Sequence, residues 1–404
     1  MAFRRRPSAG ARTTFFFSLR RRLLSRISLL TLAAICSIVI WTLTAISEVL
    51  EAGGDRPLLL EDQKRQPFFY NGTGIPVKVY QQSSPKNFCT PSPYKDEEYH
   101  PREDITIKDT GLLYLKSHKA ASSTCEGINI KLARHFQNCR HENRHEYAES
   151  KRFANRDATQ SFLWTMVRSP PKRDLSQVYH FRVSRTGMEP SDSNILEALD
   201  TRVKGIQTRF LWPSKAISVS SALVQKHPKI AKERIKSNIF DSMDFIGVVE
   251  HMSTSLAVLS LLLEVPASAV IVLTAKTSGG YDGGSNKMKC TYIQPAKETQ
   301  GIKSYFASSK YRSSNPDLLL YDMAVESLEA TVDHLGRSQV EQRRLEIEQL
   351  QHVANDKCLP QAIFPCSPHG DLQLEAAAES CYVQDAGCAW KCIDDALLLV
   401  DRSA

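Results

Sequence analysis

Residues 112–124 have the sequence LLYLKSHKAASST, and this stretch decides the fold class. Its first four residues are apolar and predict a short buried strand, while the apolar residues of 125–136 recur at helical spacing. A strand that leads directly into a helix is the building unit of a parallel sheet. The start of that helix can bind an anion through its N–H groups and its dipole, and Lys119 adds a full positive charge.

The turn between this strand and this helix carries the candidate ligand-binding residues Lys119, Ala120, Ser122, Ser123 and Thr124. The three hydroxyl groups can donate to an anion, but Ser123 or Thr124 can equally cap the helix in the ordinary way. The Walker A pattern G-x-x-x-x-G-K-[ST] is absent from the sequence. Taken by itself, the turn leaves both interpretations open.

A second strand and turn follow in the same order. Residues 161–167, SFLWTMV, predict a strand, and Arg168 follows it in a turn whose prolines suit the start of a helix. Arg168 can bind a phosphate through two parallel hydrogen bonds, and Ser176 in the helix adds a hydroxyl. The alternative is a surface arginine and an ordinary helix serine. Two anion sites in one α/β unit indicate a ligand with two separated phosphates.

The alternation of strands and helices continues along the chain. Further buried strands are predicted at 245–249 and 269–273, and a long helical pattern covers 317–354. We therefore predict an α/β fold, a P-loop-like parallel sheet flanked by helices. The last segment holds five cysteines within 35 residues, which predicts disulfide bonds there, with Cys290 as the sixth partner.

Positive charge is concentrated at the N-terminus. The formal net charge is +8, and eight arginines precede the first acidic residue, Glu48; without them, 44 basic residues balance 44 acidic ones. This balance gives no support for nucleic-acid binding. Residues 27–49 form an apolar run long enough to span a bilayer, and the preceding cations predict a cytoplasmic N-terminus. A cleaved secretory signal is the alternative interpretation.

The predicted organisation has five parts: a basic cytoplasmic tail at 1–26, a transmembrane signal-anchor at 27–49, a stem at 50–105, a globular domain at 106–335 and a helical, cysteine-rich C-terminal segment at 336–404. The sequon at Asn71 falls just past the anchor, as expected of a lumenal glycoprotein. Nine cysteines follow the anchor; because nine is odd, at least one is free or pairs between chains. Oligomerisation stays open.

The two turns resemble motifs of the Golgi carbohydrate sulfotransferases. Residues 119–124, KAASST, are similar to their 5′-phosphosulfate loop. Residues 167–181, VRSPPKRDLSQVYHF, are similar to their 3′-phosphate motif, R-[DS]-P-x-x-R-x-x-S-x-[YFV]-x-[HYF]-F. With FIGVVE at 245–250, the resemblance points to the branch that contains heparan sulfate 2-O-sulfotransferase and the galactose-3-O-sulfotransferases. It covers roughly residues 110–335.

The sequence also departs from this family. His118 stands where the branch usually has proline before the lysine, and Ser169 stands where aspartate is commoner. Neither change removes a contacting group. The C-terminal cysteine segment has no counterpart in this family. This difference concerns the acceptor rather than the donor.

The resemblance implies the sulfotransferase fold, 3′-phosphoadenosine 5′-phosphosulfate as donor, and no metal. It implies donor binding by the lysine loop together with Arg168, Arg173 and Ser176, and a leaving-group role for Lys119. By weaker analogy with a basic loop of the family, Lys289 and Lys287 also line the donor site.

Sulfuryl transfer needs a base for the acceptor hydroxyl. Residues 139–146, CRHENRHE, offer His145 and His141, with Glu142 and Glu146 as further candidates. His145 is preferred because its spacing of 23 residues before Arg168 resembles that of the base histidine in the 2-O-sulfotransferase branch. A competing structural interpretation is a zinc site from Cys139 and the two histidines.

The resulting functional hypothesis is a single-pass type II Golgi membrane enzyme that sulfates a hydroxyl of a carbohydrate acceptor. One alternative is a type II Golgi glycosyltransferase, which shares this topology but usually carries a D-x-D-like metal motif. The other is an inactive lumenal glycan-binding protein with the cysteine tail as its binding module.

Overall fold

The computed structural model of the chain describes residues 76–84, 88–89, 110–137, 139–202, 204–214, 219–274, 279–283, 289–373, 381 and 386–401. All of them belong to one compact unit, residues 70–404. The predicted anchor at 27–49 and the sequon at Asn71 lie outside the described residues. Within the described ranges, no helix has both the length and the apolar character that crossing a bilayer requires.

Four parallel strands form the central sheet, in the spatial order β2-β1-β3-β4. The strands are β1 (Gly111–Leu115), β2 (His141–Arg144), β3 (Ser161–Val167) and β4 (Phe245–Val248). β1, β3 and β4 are buried along their whole length, which is typical of parallel strands covered by helices. A separate antiparallel pair is formed by β5 (Tyr281–Asp282) and β6 (Thr291–Tyr292). The predicted α/β class with a parallel sheet is confirmed.

Helices flank this sheet. In chain order they are α1 (Ser122–His135), α2 (Lys151–Ala154), α3 (Pro170–Val178), α4 (Ser184–Thr186), α5 (Asp192–Asp200), α6 (Ile206–Phe210), α7 (Ser221–Lys226), α8 (Pro228–Ile235), α9 (Met252–Leu262), α10 (Gln300–Ala307), α11 (Ser309–Arg312), α12 (Pro316–Leu335), α13 (Arg337–Cys358) and α14 (Trp390–Asp401). Three 3₁₀ turns cover Val249–His251, Ala267–Val270 and Leu359–Gln361, and π turns cover Tyr179–Val183 and Lys236–Phe240.

The strand predicted at 269–273 is wrong. Its first part belongs to the 3₁₀ turn Ala267–Val270, and the rest, although buried, pairs with no strand among the described residues. Side chains bind its carbonyls instead: Lys131 Nζ donates to Ile271 O at 3.1 Å, and Gln351 Nε2 donates to Val272 O at 3.2 Å. An apolar run indicates burial, and burial does not require a strand partner.

Conversely, β2 was missed because its sequence, HENR, is polar and half-exposed. The long helix predicted over 317–354 is also interrupted. Gly336 has φ of +93°, outside helical geometry, so α12 ends before it and α13 begins after it.

One hydrophobic core joins the sheet to segments that are distant in sequence. Tyr80 and Phe88, from the segment predicted as a stem, are buried in it; the Tyr80 ring meets Phe245 edge-on at 5.4 Å. Ile347 of α13 and Leu397 of α14 belong to the same core. The C-terminal segment therefore packs as part of this fold.

Disulfide bonds hold the C-terminal segment, as the sequence predicted. Three bonds involve this segment: Cys290–Cys366, Cys358–Cys392 and Cys381–Cys388; a fourth among the described residues, Cys89–Cys139, lies outside it. Cys290 is the sixth partner of the tail, which confirms that prediction. Among the described residues, the free cysteine is Cys125, buried near the start of α1.

Candidate functional site

The loop between β1 and α1 has an unusual backbone. Lys119 and Ala121 both have positive φ, 62° and 55°, whereas Ala120 between them does not. A positive φ at a residue other than glycine costs about 1–3 kcal/mol, and backbone strain of this kind is common at ligand-binding sites. Alternation of φ sign is the backbone pattern of many anion-binding loops.

The helix start faces the same loop. Ala121 is the N-cap of α1 and, within the described part of the chain, no side chain caps this helix. The expectation that Ser123 or Thr124 caps it is therefore wrong; these residues and Ser122 are half-buried in the first turn. An uncapped first turn retains N–H groups that a bound anion can satisfy.

Ala120 contributes differently from its neighbours. Its side chain is fully buried, and its N–H donates to Ser117 O at 3.4 Å, within the loop itself. Lys116 forms an ion pair with Glu126 of α1, with Nζ and Oε2 at 2.5 Å. Both contacts fix the loop, so Ala120 shapes the site rather than presenting a charged or hydroxyl group.

Arg168 directly follows β3, and its guanidinium reaches the loop after β1. Its Nη1 donates to Lys119 O at 3.1 Å. Because β1 and β3 pair in parallel, both residues lie at the carboxyl edge of the sheet. This confirms the predicted placement of Lys119 and Arg168 on one edge, where open α/β sheets bind ligands.

Two residues that sequence reasoning missed hold Arg168 in place. Gln207 of α6 is fully buried; its Oε1 accepts from Arg168 N at 3.0 Å, and its Nε2 donates to Arg168 O at 3.1 Å. Glu250, which follows β4, accepts from Ser169 N at 3.0 Å. The strand end at Glu250 is the signal that could have identified it, whereas nothing local identifies Gln207.

Within the described residues, hydrogen bonds satisfy the Arg168 side chain only in part. Burial lowers its pKa, and Glu250, with Oε1 4.0 Å from Arg168 Nε, opposes that shift. The Nε atom is buried and has no hydrogen-bond partner among the described residues. A buried guanidinium N–H without an acceptor is a costly arrangement that an anionic ligand would relieve.

Arg173, which the motif predicted to bind the donor, is buried inside the protein. It is only 1% exposed, and its Nη2 lies 2.6 Å from Asp174 Oδ1 and 3.2 Å from Asp317 Oδ2. The guanidinium is therefore engaged by two carboxylates inside the protein. Buried charges need such pairing, so Arg173 stabilises the fold around the site, and its assignment as a donor-binding residue stays a prediction.

Asp317, at the start of α12, connects this ion pair to Arg168. Its Oδ1 accepts from Thr208 N at 2.6 Å, and its Oδ2 accepts from Gln207 N at 3.0 Å. Gln207 in turn holds the Arg168 backbone. A chain of buried polar contacts thus runs from Arg173 to Arg168.

Ser176 lies half-buried on α3 and shares a helix face with the exposed Lys172, four residues before it. No hydrogen bond engages its hydroxyl among the described residues. Lys289 is exposed in the β5–β6 region, and Lys287 lies outside the described residues. Among the described residues, Ser176 and Lys289 make no hydrogen bond or ion pair with Lys119 or Arg168.

His145 directly follows β2 and so joins the same carboxyl edge. Its Nδ1 lies 2.7 Å from Lys116 O, which fixes the tautomer with a proton on Nδ1. Its ring stacks on His118, with centroids 4.3 Å apart and planes 2° apart. The pKa of His118 is lowered, chiefly by burial and further by Arg173, Lys116 and Lys119.

His141 lies at the other end of β2, opposite Leu112 in the register, whereas Arg144 beside His145 is opposite Leu115. At about 3.3 Å per strand residue, the two histidine backbones are about 13 Å apart. Burial lowers the pKa of His141. The structure therefore does not bring the second candidate base to the Lys119–Arg168 edge.

The remaining alternatives near β2 are engaged elsewhere. Glu142 pairs with Arg152, with Oε2 and Nη1 at 3.0 Å, and Glu146 approaches the same arginine at 4.0 Å. Cys139 is bonded to Cys89, so its sulfur is not a thiolate that could bind zinc. The zinc interpretation is therefore wrong for this residue set.

Aromatic residues lie next to His118, the stacking partner of His145. Phe210 meets His118 edge-on at 5.6 Å and packs against Tyr147 at 5.0 Å. Tyr147 is 43% exposed, and the Arg209 guanidinium carbon lies 5.8 Å from its ring centroid. A partly exposed tyrosine thus stands two residues from the candidate base in sequence.

Comparison of the chain with protein-family models, with curated proteins and with solved structures gives no match in any of the three.

Proposed function

We propose that this protein transfers a sulfuryl group from 3′-phosphoadenosine 5′-phosphosulfate to a hydroxyl of a glycan. The observation that carries the proposal is the hydrogen bond from Arg168 Nη1 to Lys119 O. It joins two strand–turn–helix units, each suited to a phosphate, at one edge of a parallel sheet. His145 follows the neighbouring strand at that edge.

The residues present fit the two ends of such a donor. The positive φ angles of Lys119 and Ala121 and the uncapped start of α1 suit the 5′-phosphosulfate. The buried Nε of Arg168, which lacks an acceptor within the described structure, suits the 3′-phosphate, and Ser176 adds a hydroxyl to this part of the site. Arg173 serves this site indirectly, by supporting Asp317 and Gln207.

The chemistry then divides among three groups. The bound donor supplies a sulfuryl group whose bond to the 5′-phosphate breaks as the new sulfur–oxygen bond forms. His145, with its proton on Nδ1, accepts the proton of the acceptor hydroxyl at Nε2. Lys119 and the N–H groups of the first turn of α1 stabilise the negative charge that grows on the leaving oxygen. Arg168 holds the far phosphate and so fixes the reacting end.

The acceptor and the cell compartment complete the proposal. The apolar run at 27–49 and the preceding arginines support a type II anchor in the Golgi membrane with a lumenal catalytic domain. The four disulfide bonds are compatible with an oxidising lumen. The exposed side chain of Tyr147, two residues from His145 in sequence, supports a carbohydrate acceptor at this side of the site.

The test is sulfuryl transfer by the full-length protein in detergent, with ³⁵S-labelled donor and a panel of desulfated glycans. We expect label in one class of glycan, loss of that label in Arg168→Ala, and normal label in Arg182→Ala, which alters an exposed arginine after α3. Transfer of a sugar from a nucleotide-sugar donor in parallel reactions would favour the glycosyltransferase alternative. Glycan binding without transfer of either group would favour the inactive lectin.

A further inference from the structure

The stacked pair of imidazoles at the carboxyl edge combines one residue that the proposed chemistry uses with one that it does not. His145 is the proposed base, whereas His118 belongs to the loop after β1 and has no role in the chemistry above. We infer that His118 is a positioning residue for His145. By stacking face to face on the His145 ring, it holds that ring in the orientation in which it acts as the base. This inference rests on the proposed function.

His145 needs such support because of where it lies. It is exposed and follows the last residue of an edge strand, so sheet hydrogen bonds do not fix its side chain. The contact from Nδ1 to Lys116 O, 2.7 Å long, fixes the tautomer and one direction of the ring. The parallel contact with His118 restricts rotation of the ring about the axis of this hydrogen bond.

His118 is itself held firmly enough to do this. It is half-buried, and the edge contact with Phe210, at 5.6 Å and 66°, supports it. His118 lies between Lys116, whose carbonyl binds His145, and Lys119, whose carbonyl binds Arg168. One short loop therefore sets the position of the base relative to both anion-binding groups.

The planar ring, rather than the charge, is what this role requires. The planes differ by 2° at a centroid distance of 4.3 Å, so a flat side chain of similar width makes the same contact. Phenylalanine preserves this contact and lacks the nitrogens, whereas alanine removes the ring. The pair His118→Phe and His118→Ala thus separates positioning from any proton transfer by His118.

The kinetic experiment uses both variants in the full-length protein, with His135→Ala, at the exposed end of α1, as the matched control. We expect kcat of His118→Ala to fall at least 10-fold, because small misplacements of reacting groups cost up to about 100-fold. The KM for acceptor and the Kd for 3′,5′-adenosine bisphosphate stay within about twofold. His118→Phe and His135→Ala retain kcat within about threefold.

A second readout does not depend on turnover. In protein labelled with ¹³C and ¹⁵N at histidine, we expect the His145 ring protons to show an upfield ring-current shift and an Nδ1–H tautomer. His118→Ala removes the upfield shift, and His118→Phe keeps it. If the wild type transfers no sulfate, the proposed function fails while these spectra still decide whether His118 positions His145.

Three results would overturn the inference. The first is an unchanged His145 spectrum in His118→Ala. The second is a loss of kcat in His118→Phe as large as that in His118→Ala. The third is a loss of nucleotide affinity in His118→Ala that accounts for its whole kinetic defect, since this would make His118 a part of the loop structure alone.

Discussion

Arg168 and Lys119 are linked directly: Nη1 of the arginine donates to the main-chain oxygen of the lysine at 3.1 Å, although 49 residues separate them in sequence. Each residue follows a strand, and the two strands are adjacent and parallel. The bond uses one guanidinium nitrogen and leaves the buried Nε without an acceptor in the described part of the chain. Arg168 is thus oriented by the first loop and retains capacity for an anion.

Replacement of Arg168 by alanine tests this arrangement. A hydrogen bond to a charged group contributes about 1.5–3 kcal/mol, so we expect Arg168→Ala to weaken binding of 3′,5′-adenosine bisphosphate about 10- to 150-fold. Isothermal titration calorimetry measures the affinity, with Arg182→Ala as the control that removes an exposed arginine outside the site. Equal affinity in the wild type and Arg168→Ala would exclude the arginine from the nucleotide site.

Replacement of His145 tests the proposed base. We expect His145→Ala to lose about 10²- to 10⁴-fold in kcat, the usual contribution of a general base, and to bind the nucleotide as the wild type does. His141→Ala is the matched control, because His141 lies at the opposite end of the same strand, and its kcat should change much less. A larger loss in His141→Ala than in His145→Ala would reverse the assignment.

The buried ion pair of Arg173 and Asp317 predicts a large effect on stability. Removing one partner of a buried pair leaves an uncompensated charge and costs about 3–5 kcal/mol. We expect this loss in the free energy of unfolding of Arg173→Leu, measured by urea denaturation. Arg337→Ala, which breaks an exposed pair with Asp333, should cost less than about 1 kcal/mol. Similar costs for the two variants would show that the Arg173 pair is not buried in solution.

The cysteines give a prediction about chemical reactivity. Burial raises the pKa of the Cys125 thiol to about 12, so at pH 8 the folded protein holds almost no thiolate at this position. We expect alkylation followed by peptide mapping to label Cys125 only after denaturation without reductant. Rapid labelling in the native protein, or labelling of Cys290 or Cys366 before reduction, would contradict the structure.

Buried histidines predict that stability falls at acidic pH. Burial lowers the pKa of His141, and its contacts with Cys139 O and Glu142 oppose that shift only in part. Below about pH 6.5 the unfolded chain therefore takes up a proton that the folded protein resists, and the free energy of unfolding falls as the pH decreases. We expect His141→Gln to lose less stability than the wild type between pH 8 and pH 5.5, measured by urea denaturation. An equal loss in both proteins would refute this contribution.

Local pattern determined much of the fold and of the site. The apolar runs ending at Leu115 and Val167 fix two strands, and the helices that follow each of them require the strands to be parallel. Parallel strands have their carboxyl ends at one edge, so Lys119 and Arg168 had to meet there. For this reason a strand pattern and a turn motif were enough to predict their proximity from the sequence.

The polar strand β2 shows where local pattern is insufficient. HENR resembles a loop, and it forms a strand because β1 offers it a free edge, with Lys116 N donating to Arg144 O at 2.9 Å. The apolar run at 269–273 has the opposite outcome, because Lys131 and Gln351 bind its carbonyls without a partner strand. Strand pairing depends on neighbours that the segment itself does not contain.

The different environments of Arg168 and Arg173 were decided by the tertiary structure alone. Both stand in one short motif, but Arg173 points into the core, where Asp317, 144 residues away, neutralises it. Arg168 stays at the sheet edge because Gln207, from a different helix, holds its backbone. The sequence specified which groups are charged and where each strand ends. Only the packed chain decided which charge is neutralised and which is left for a ligand, because the energy of a buried charge depends on partners that folding brings from far along the chain.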